Sequence, residues 1–574
     1  MRTQILSAET SSWTSVISGK ALCEPKRTSY GFVVLTDGKM ISACTESGTK
    51  LWERGIPGHP EPFLSVFSSD FVLSVSDKKN LLLINPSGLT LWTVKVPFAI
   101  TENPASGRDS RIFVKGKREV ACYGVNGILK WNLEFPALKN IPLLEMNDGS
   151  LLVFMESLSG GKTCGVRISP FGETVENISF SGQVISASSC DDGILLAFTG
   201  GGCGMCAVKD GSTVTKWTIP YSDRAFSNTN CSSGVIFRQF SNHSGILLTE
   251  CTRNCTRAMV FSTMDGRVSD WFDIESTFKN ISCVNTVPES DGIFVSDSKS
   301  AYIHARNGDV LWKAFLPAKD IFSKWNFITF TRGNYLVICS TSWAMAAFRT
   351  SYKISKKNNL PQKQKKGYPE YISKDNSFLS YMQFSDKIDT KITGINRAEI
   401  LLKGKYAVKE EEYISSLTGL LNDYSDTLSS WSSRGTRTEM SIYQKDRTGM
   451  QEVLLQLPLY GTDTFIPLIS KLVKNEKDEF NLQILLKGIA QNGFDPEGYI
   501  LSALEQKAKT LQTSKTTEFY LLCDAVYEIC RFMGRPALYS KGMQILTGLL
   551  YPQYDSSVRD YARNTLTKIA VLKI

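Results

Sequence analysis

The sequence has no uninterrupted apolar run near the roughly 18 residues that a membrane-crossing helix needs, so no transmembrane helix is expected. Histidine is scarce, at three residues (His59, His243, His304). His59 and His304 have no carboxylate or cysteine nearby at a catalytic spacing, and both read as structural. No two of the 14 cysteines are adjacent, and they are dispersed instead of forming a short disulfide framework. An excess of one charge is nearly absent: 65 basic against 56 acidic residues leave +9, too diffuse along the sequence to imply a nucleic-acid partner. The opening MRTQILSAETSSW lacks a basic region followed by an apolar one, so no secretory signal is read there. That places the protein in the cytoplasm, or in the periplasm or cell envelope if an export segment precedes this sequence.

What is present is ordinary globular material, 42% hydrophobic and 21% charged over 574 residues. At roughly 100–200 residues per domain this is more than one core, so at least two domains are expected. A phrase recurs: MISACTESGTKLW to Trp52, NLLLINPSGLTLW to Trp92, VACYGVNGILKW to Trp131, SAYIHARNGDVLW to Trp312. Each is an apolar strand, a turn with glycine (Gly48, Gly88, Gly127, Gly308) and a tryptophan four residues later. Looser copies end at Trp217 and Trp271, and a worn one, CGVRISPFGETVEN, carries Glu176 at the tryptophan position. The period is about 40 residues, one four-stranded propeller blade. Glycine supplies the left-handed backbone of a tight turn between antiparallel strands. The tryptophan then wedges between neighbouring blades, with its indole N–H seeking a partner.

An eighth copy, NYLVICSTSWAMAAFRTSYKI, has no glycine-to-tryptophan ending, whereas Trp13 stands in phase before the first full copy. The segment SWTSVISG is therefore expected to pair near Met345 and close an eight-bladed ring that leaves no open sheet edge. The propeller is assigned to residues 1–355.

The G-x-x-x-W repeat with leucine before tryptophan (GTKLW, GLTLW, GDVLW) resembles the tryptophan-docking repeat of quinoprotein-type, PQQ-like eight-bladed propellers. WD-repeat (YVTN-like) propellers are the near alternative, but their Gly-His and Trp-Asp signatures do not recur. The resemblance implies either a quinone-dependent alcohol dehydrogenase or a non-catalytic scaffold. Those enzymes resemble one another in an adjacent cysteine pair and a calcium-binding set beneath the quinone. In blade number and period the sequence is similar to the bacterial propeller lipoprotein of the outer-membrane β-barrel assembly machinery. That likeness implies outer-membrane assembly components as partners and a peripheral membrane association.

Residues 356–377 (KKNNLPQKQKKGYPEYISKDNS) are basic and polar, poor in aliphatic side chains, and read as an exposed linker. Residues 378–574 read as an α-helical domain. Phe465, Leu468, Ile469 and Leu472 form one stripe at helical spacing, and Leu482, Leu485, Leu486 and Ile489 a second. Met543, Leu546 and Leu550, then Val558, Tyr561, Ala562, Leu566 and Ile569, repeat the scheme, with Asp555 or Ser556 as cap. Pro467 and SSVRDYARNTL resemble the two helices of a HEAT-type repeat, which implies a surface that holds proteins or peptides.

Chemistry is thin. CGMC (Cys203, Cys206) and CTRNC (Cys251, Cys255) offer four thiols for zinc, but residues three apart on a strand point to opposite faces, and buried apolar cysteine is the better reading. In an oxidising compartment Cys251 and Cys255 suit a disulfide. GGGC, Gly200 to Cys203, lacks the lysine of a phosphate loop. The expected protein is therefore a non-catalytic interaction scaffold for protein partners, with no cofactor, no metal and no catalytic residues; the alternative is a quinone-dependent oxidoreductase.

Overall fold

The computed structural model describes residues 12–349, several loops excepted, of which 220–235 is the longest, and 462–572, except 477–478. The N-terminal part is built from antiparallel four-strand meanders. In the first, Lys26–Arg27, Gly31–Leu35, Met40–Thr45 and Lys50–Gly55 pair in that order. The same plan repeats over 60–95, 105–134, 144–179, 184–219, 236–274 and 283–315. The second strands are buried on both faces, as in Phe71–Ser76, where all six residues are enclosed, so they read as continuous apolar runs. Fourth strands are half exposed and alternate.

The last meander has three strands of its own, Trp325–Phe330, Tyr335–Ser340 and Ala344–Arg349. Its fourth is Trp13–Val16, which runs antiparallel to Ala344–Arg349 with Trp13 opposite Ala347 and Ser15 opposite Met345. First strands touch first strands of neighbouring meanders, so they line the axis of a ring. The fold is a β-propeller.

The expectation of eight separate four-stranded blades needs correction: the described strands form six four-stranded sheets and one of eight strands. The eight-stranded sheet is the 144–179 and 184–219 meanders joined edge to edge by one parallel contact, Ser179 with Ser212. The join falls where the docking tryptophan is missing. Glu176 lies opposite Arg167, as Trp52 lies opposite Ala43, and ion-pairs with it at 3.3 Å, so no indole separates the two fourth strands.

Because successive strands are antiparallel, the 1–2 and 3–4 turns of every meander share one face of the ring. The 2–3 turns and the connections between meanders share the other. This division positions everything below.

Six helices are described in the C-terminal part: α1 (Thr462–Asn475), α2 (Glu479–Asn492), α3 (Tyr499–Thr510), α4 (Thr516–Met533), α5 (Pro536–Gly548) and α6 (Ser556–Leu572). They pack as two layers with parallel neighbours. In one, α3 lies along α1 (Ser470 Oγ to the Tyr499 carbonyl, 3.0 Å) and α5 along α3 (Arg535 Nη1 to the Pro496 carbonyl, 2.9 Å). In the other, α4 lies along α2 (Gln483 Nε2 to Glu518, 2.8 Å) and α6 along α4 (Tyr561 hydroxyl to Asp524, 2.7 Å). The structure is thus three stacked helical pairs. Leu482, Leu485, Leu486 and Ile489 are buried, as are Val558, Ala562 and Ile569. Along α1 the buried side chains are Ile466, Leu472 and Val473; Phe465 and Leu468 lie outside the described side chains. Asp555 accepts the Ser557 N–H at 2.8 Å and caps α6. The 356–377 linker and the expected helical residues 378–461 lie outside the described residues.

Candidate interaction platform

The docking residues form a chain of contacts between sheets. Trp13 packs on Gly48, Trp52 on Gly88, Trp92 on Gly127, Trp131 on Gly172 and Trp217 on Gly266. Each fourth-strand indole therefore covers the 3–4 turn of the next sheet, not the turn that precedes it in its own phrase. The indole N–H then donates to a carbonyl of the covered turn: Trp13 to Glu46 at 3.0 Å, Trp52 to Pro86 at 2.8 Å, Trp92 to Val125 at 2.8 Å. At Gly88 two constraints coincide. Its φ is +84°, and a methyl group there would stand 2.6 Å from Cδ2 of Trp52. Gly48, Gly127 and Gly308 share the positive φ. Trp131, Trp217 and Trp312 are buried, whereas Trp13, Trp52 and Trp92 are half-buried with one edge toward solvent.

Two positions depart from the repeat. Trp271 is not a docking residue: it is 54% exposed, under the Arg257 guanidinium at 4.5 Å, and Phe272 covers Gly308 instead. Trp271 stands five residues after Gly266, one more than in the full phrases, and adjacent residues of a strand face opposite ways, so it points outward. Trp312 is 1% exposed, packs edge-on against Phe348, and its Nε1 has no partner among the described residues. The sheet it faces takes its fourth strand from Trp13–Val16, so it has no 3–4 turn to offer a carbonyl.

The same turn face carries the helical stack. Asn85 builds its own turn by accepting the N–H groups of Ser87 (3.1 Å) and Leu89 (2.9 Å), while its Nδ2 donates to the Arg531 carbonyl at the end of α4 (2.9 Å). Gly534, at φ +61°, ends α4 directly against Asn85, where a methyl group would come within 2.6 Å of Nδ2. Beside this seat Phe71 packs on Phe494 (5.6–6.4 Å being the range of its two ring contacts) and on Phe532. Phe71, Tyr123 and Val125 share one continuous apolar core with the helices. Nothing in the sequence marked Asn85 as more than a turn residue, although the other glycine-tryptophan phrases have Thr45, Gly124 and Ala305 there.

At the edge of the seat Asp495 is fully buried and caps α3 through the Leu501 N–H at 2.8 Å. Burial pushes its carboxyl up to about 6 against the pull of the backbone N–H groups. His304 donates Nδ1–H to the Gly308 carbonyl at 3.1 Å and stacks on Phe272, and burial holds its imidazole below the usual value. His59 is exposed and bonds the Pro60 carbonyl. Cys203 and Cys206 lie on one strand opposite Ile219 and Thr215. Among the described residues no three of His, Cys, Asp and Glu converge as a metal site. No two cysteines are adjacent in the chain, unlike the pair that the resembled enzymes share.

No family model matches the sequence, and no curated protein matches it. Among solved structures, BamB from Moraxella catarrhalis is 12% identical, covering 59% of this chain and 99% of its own, with a TM-score of 0.44. Saccharomyces cerevisiae Sqt1 is 11% identical over 60% and 99%, with a TM-score of 0.43. BBS1N, in complex with ARL6DN, is 11% identical over 61% and 99%, at 0.36. The propeller assignment rests on the strand pairing itself. Among the described residues no helix is long and apolar enough to cross a membrane.

Proposed function

We propose that the protein is a non-catalytic scaffold in which the propeller and the helical stack act as one platform for a protein partner. The observation that carries this is the shared core at Phe71, Phe494 and Phe532 with the Asn85–Arg531 bond, which fixes the stack on one face of the ring. A buried apolar joint of this kind resembles a domain core more than a transient contact. Stacked helical pairs of HEAT type would add an extended surface beside the ring. The partner is assigned to the cell envelope, among outer-membrane assembly components, through the repeat's likeness to that family of propellers. Ring closure and docking explain the tryptophans and glycines, and the reading assigns no acid, base and nucleophile set among the described residues to a reaction.

Cross-linking in the native cell, read by mass spectrometry, tests the platform. The full chain should recover a partner that is lost from Phe71→Asp, which breaks the joint, and from a chain ending before Thr462. A partner retained by both variants overturns the two-part platform, and dye-linked turnover after adding quinone and calcium overturns the non-catalytic reading.

A further inference from the structure

The face opposite the helical stack is built differently in the first three meanders. Their 2–3 turns each carry basic residues at the tip: Lys39, then Lys78 and Lys79, then Lys117 and Arg118. The 3–4 turns of the same meanders, 45–49, 85–89 and 124–128, contain no lysine or arginine. Lys39, Lys78, Lys117 and Arg118 are exposed.

Backbone conformation adds an independent observation. Lys39 has φ +61°, and Asp77 and Lys78 have φ +48° and +62° in a two-residue turn closed by Lys79 N–H to the Ser76 carbonyl at 3.2 Å. Hairpin turns of this hand favour Asn-Gly, and glycine is the least costly residue at the left-handed position. Lysine stands there in two successive meanders, a local cost that the fold does not require. The neighbouring carboxylates, also exposed, are engaged by backbone: Asp37 accepts the Lys20 N–H at 2.7 Å and Asp77 the His59 N–H at 2.8 Å.

The connections between meanders interleave with these turns and present exposed prolines, Pro57, Pro97 and Pro136. Lys79 and Arg118 reach back to the carbonyls of Pro97 (3.2 Å) and Phe135 (3.3 Å), which pins basic groups beside the prolines. The bases are nearly all lysines, point charges without the bidentate fork that reads phosphate. Arg118 also pairs with Glu134 at 3.7 Å and its backbone N–H donates to Glu119 at 3.0 Å, so the free excess of positive charge lies mainly on Lys39, Lys78 and Lys117. Spaced in this way among carboxylates and apolar ring surface, the lysines suit spaced carboxylates better than a dense polyphosphate.

The geometry points to this arc as a docking surface for an acidic protein segment. It deepens the platform reading and rests on it, naming the chemistry of the partner and the face that meets it. The basic turns span three meanders, so an extended acidic segment meets them in succession, while the turn face behind is occupied by the chain's own helices.

The test uses the full chain and a fluorescein-labelled decaglutamate peptide, read by anisotropy at low and high salt. Binding should weaken as salt rises, because exposed charges are screened. The double variant Lys39→Gly, Lys78→Gly should bind roughly tenfold more weakly without a lower melting temperature, since glycine suits both backbones. Lys117→Glu with Arg118→Glu should abolish binding, and Lys474→Glu on α1 should leave it intact. Undiminished binding by the glycine variant overturns the arc, as does failure of the native chain to bind the peptide. So does a salt-dependent preference for anionic vesicles or DNA over the peptide. Loss of the arc with the native partner still captured leaves the platform standing, whereas peptide binding that survives Phe71→Asp while the partner is lost separates the two in the other direction.

Discussion

Two consecutive junctions of the propeller differ by one side chain. Where Trp131 leaves the 105–134 meander it covers Gly172, and the sheets on either side stay separate. One meander later Glu176 holds the equivalent strand position, paired with Arg167, and the two fourth strands meet at Ser179 and Ser212. The indole is a spacer as well as a contact: its bulk and its N–H bond to the next turn hold neighbouring sheets apart at a set angle. Without it, the polar strand edges find each other instead.

The strongest way to break this pattern is to remove the strand that closes the ring. A chain lacking residues through Gly19 loses Trp13–Val16 and its pairing with Ala344–Arg349. It should aggregate, or melt far below the full chain, as followed by light scattering and thermal denaturation.

Trp92→Ala removes one spacer and its bond to Val125, and should cost about 3–5 kcal/mol in denaturant unfolding. Glu176→Ala at the worn junction should cost under about 1 kcal/mol, because the ion pair it loses is partly exposed. Equal effects at the two positions would mean that the indole is not what separates the junctions.

At the joint, Asn85→Ala leaves the Arg531 carbonyl and the turn N–H groups without their partner, and should cost about 1–3 kcal/mol. Unfolding of the helical part should then precede that of the propeller, where the native chain should show one transition by circular dichroism and tryptophan fluorescence.

The smallest effect expected is on pH. Asp495 has a folded value raised to about 6 from 3.8, so its contribution to stability is fully present below the unfolded value and is lost as pH rises through about 6. His304 runs the other way: with its folded value depressed, its contribution is present above the ordinary imidazole value of 6.5 and is lost as pH falls through the lower folded value. Melting temperature against pH should therefore lose its decline between about 3.8 and about 6 in Asp495→Asn and its decline below 6.5 in His304→Phe.

What the sequence determined alone is whatever repeats locally. The strand-turn-strand phrase, the positive-φ glycines and the in-phase Trp13 are each set by a few consecutive residues, and so are the apolar stripes of α2 and α6. Trp271 stands five residues after Gly266 where the full phrases have four, so it falls on the outward face of its strand and Phe272 takes the dock, an outcome the spacing itself carried. The joined sheet depended on what two fourth strands do when nothing stands between them, a relation between residues more than thirty positions apart. Asn85 shows the same limit: its side chain satisfies its own turn from within the phrase, but its free amide hydrogens meet the end of α4, 446 residues away. Only tertiary structure could assign that partner, because a hydrogen-bond donor fixes the need for an acceptor and says nothing about which carbonyl the fold will bring to it.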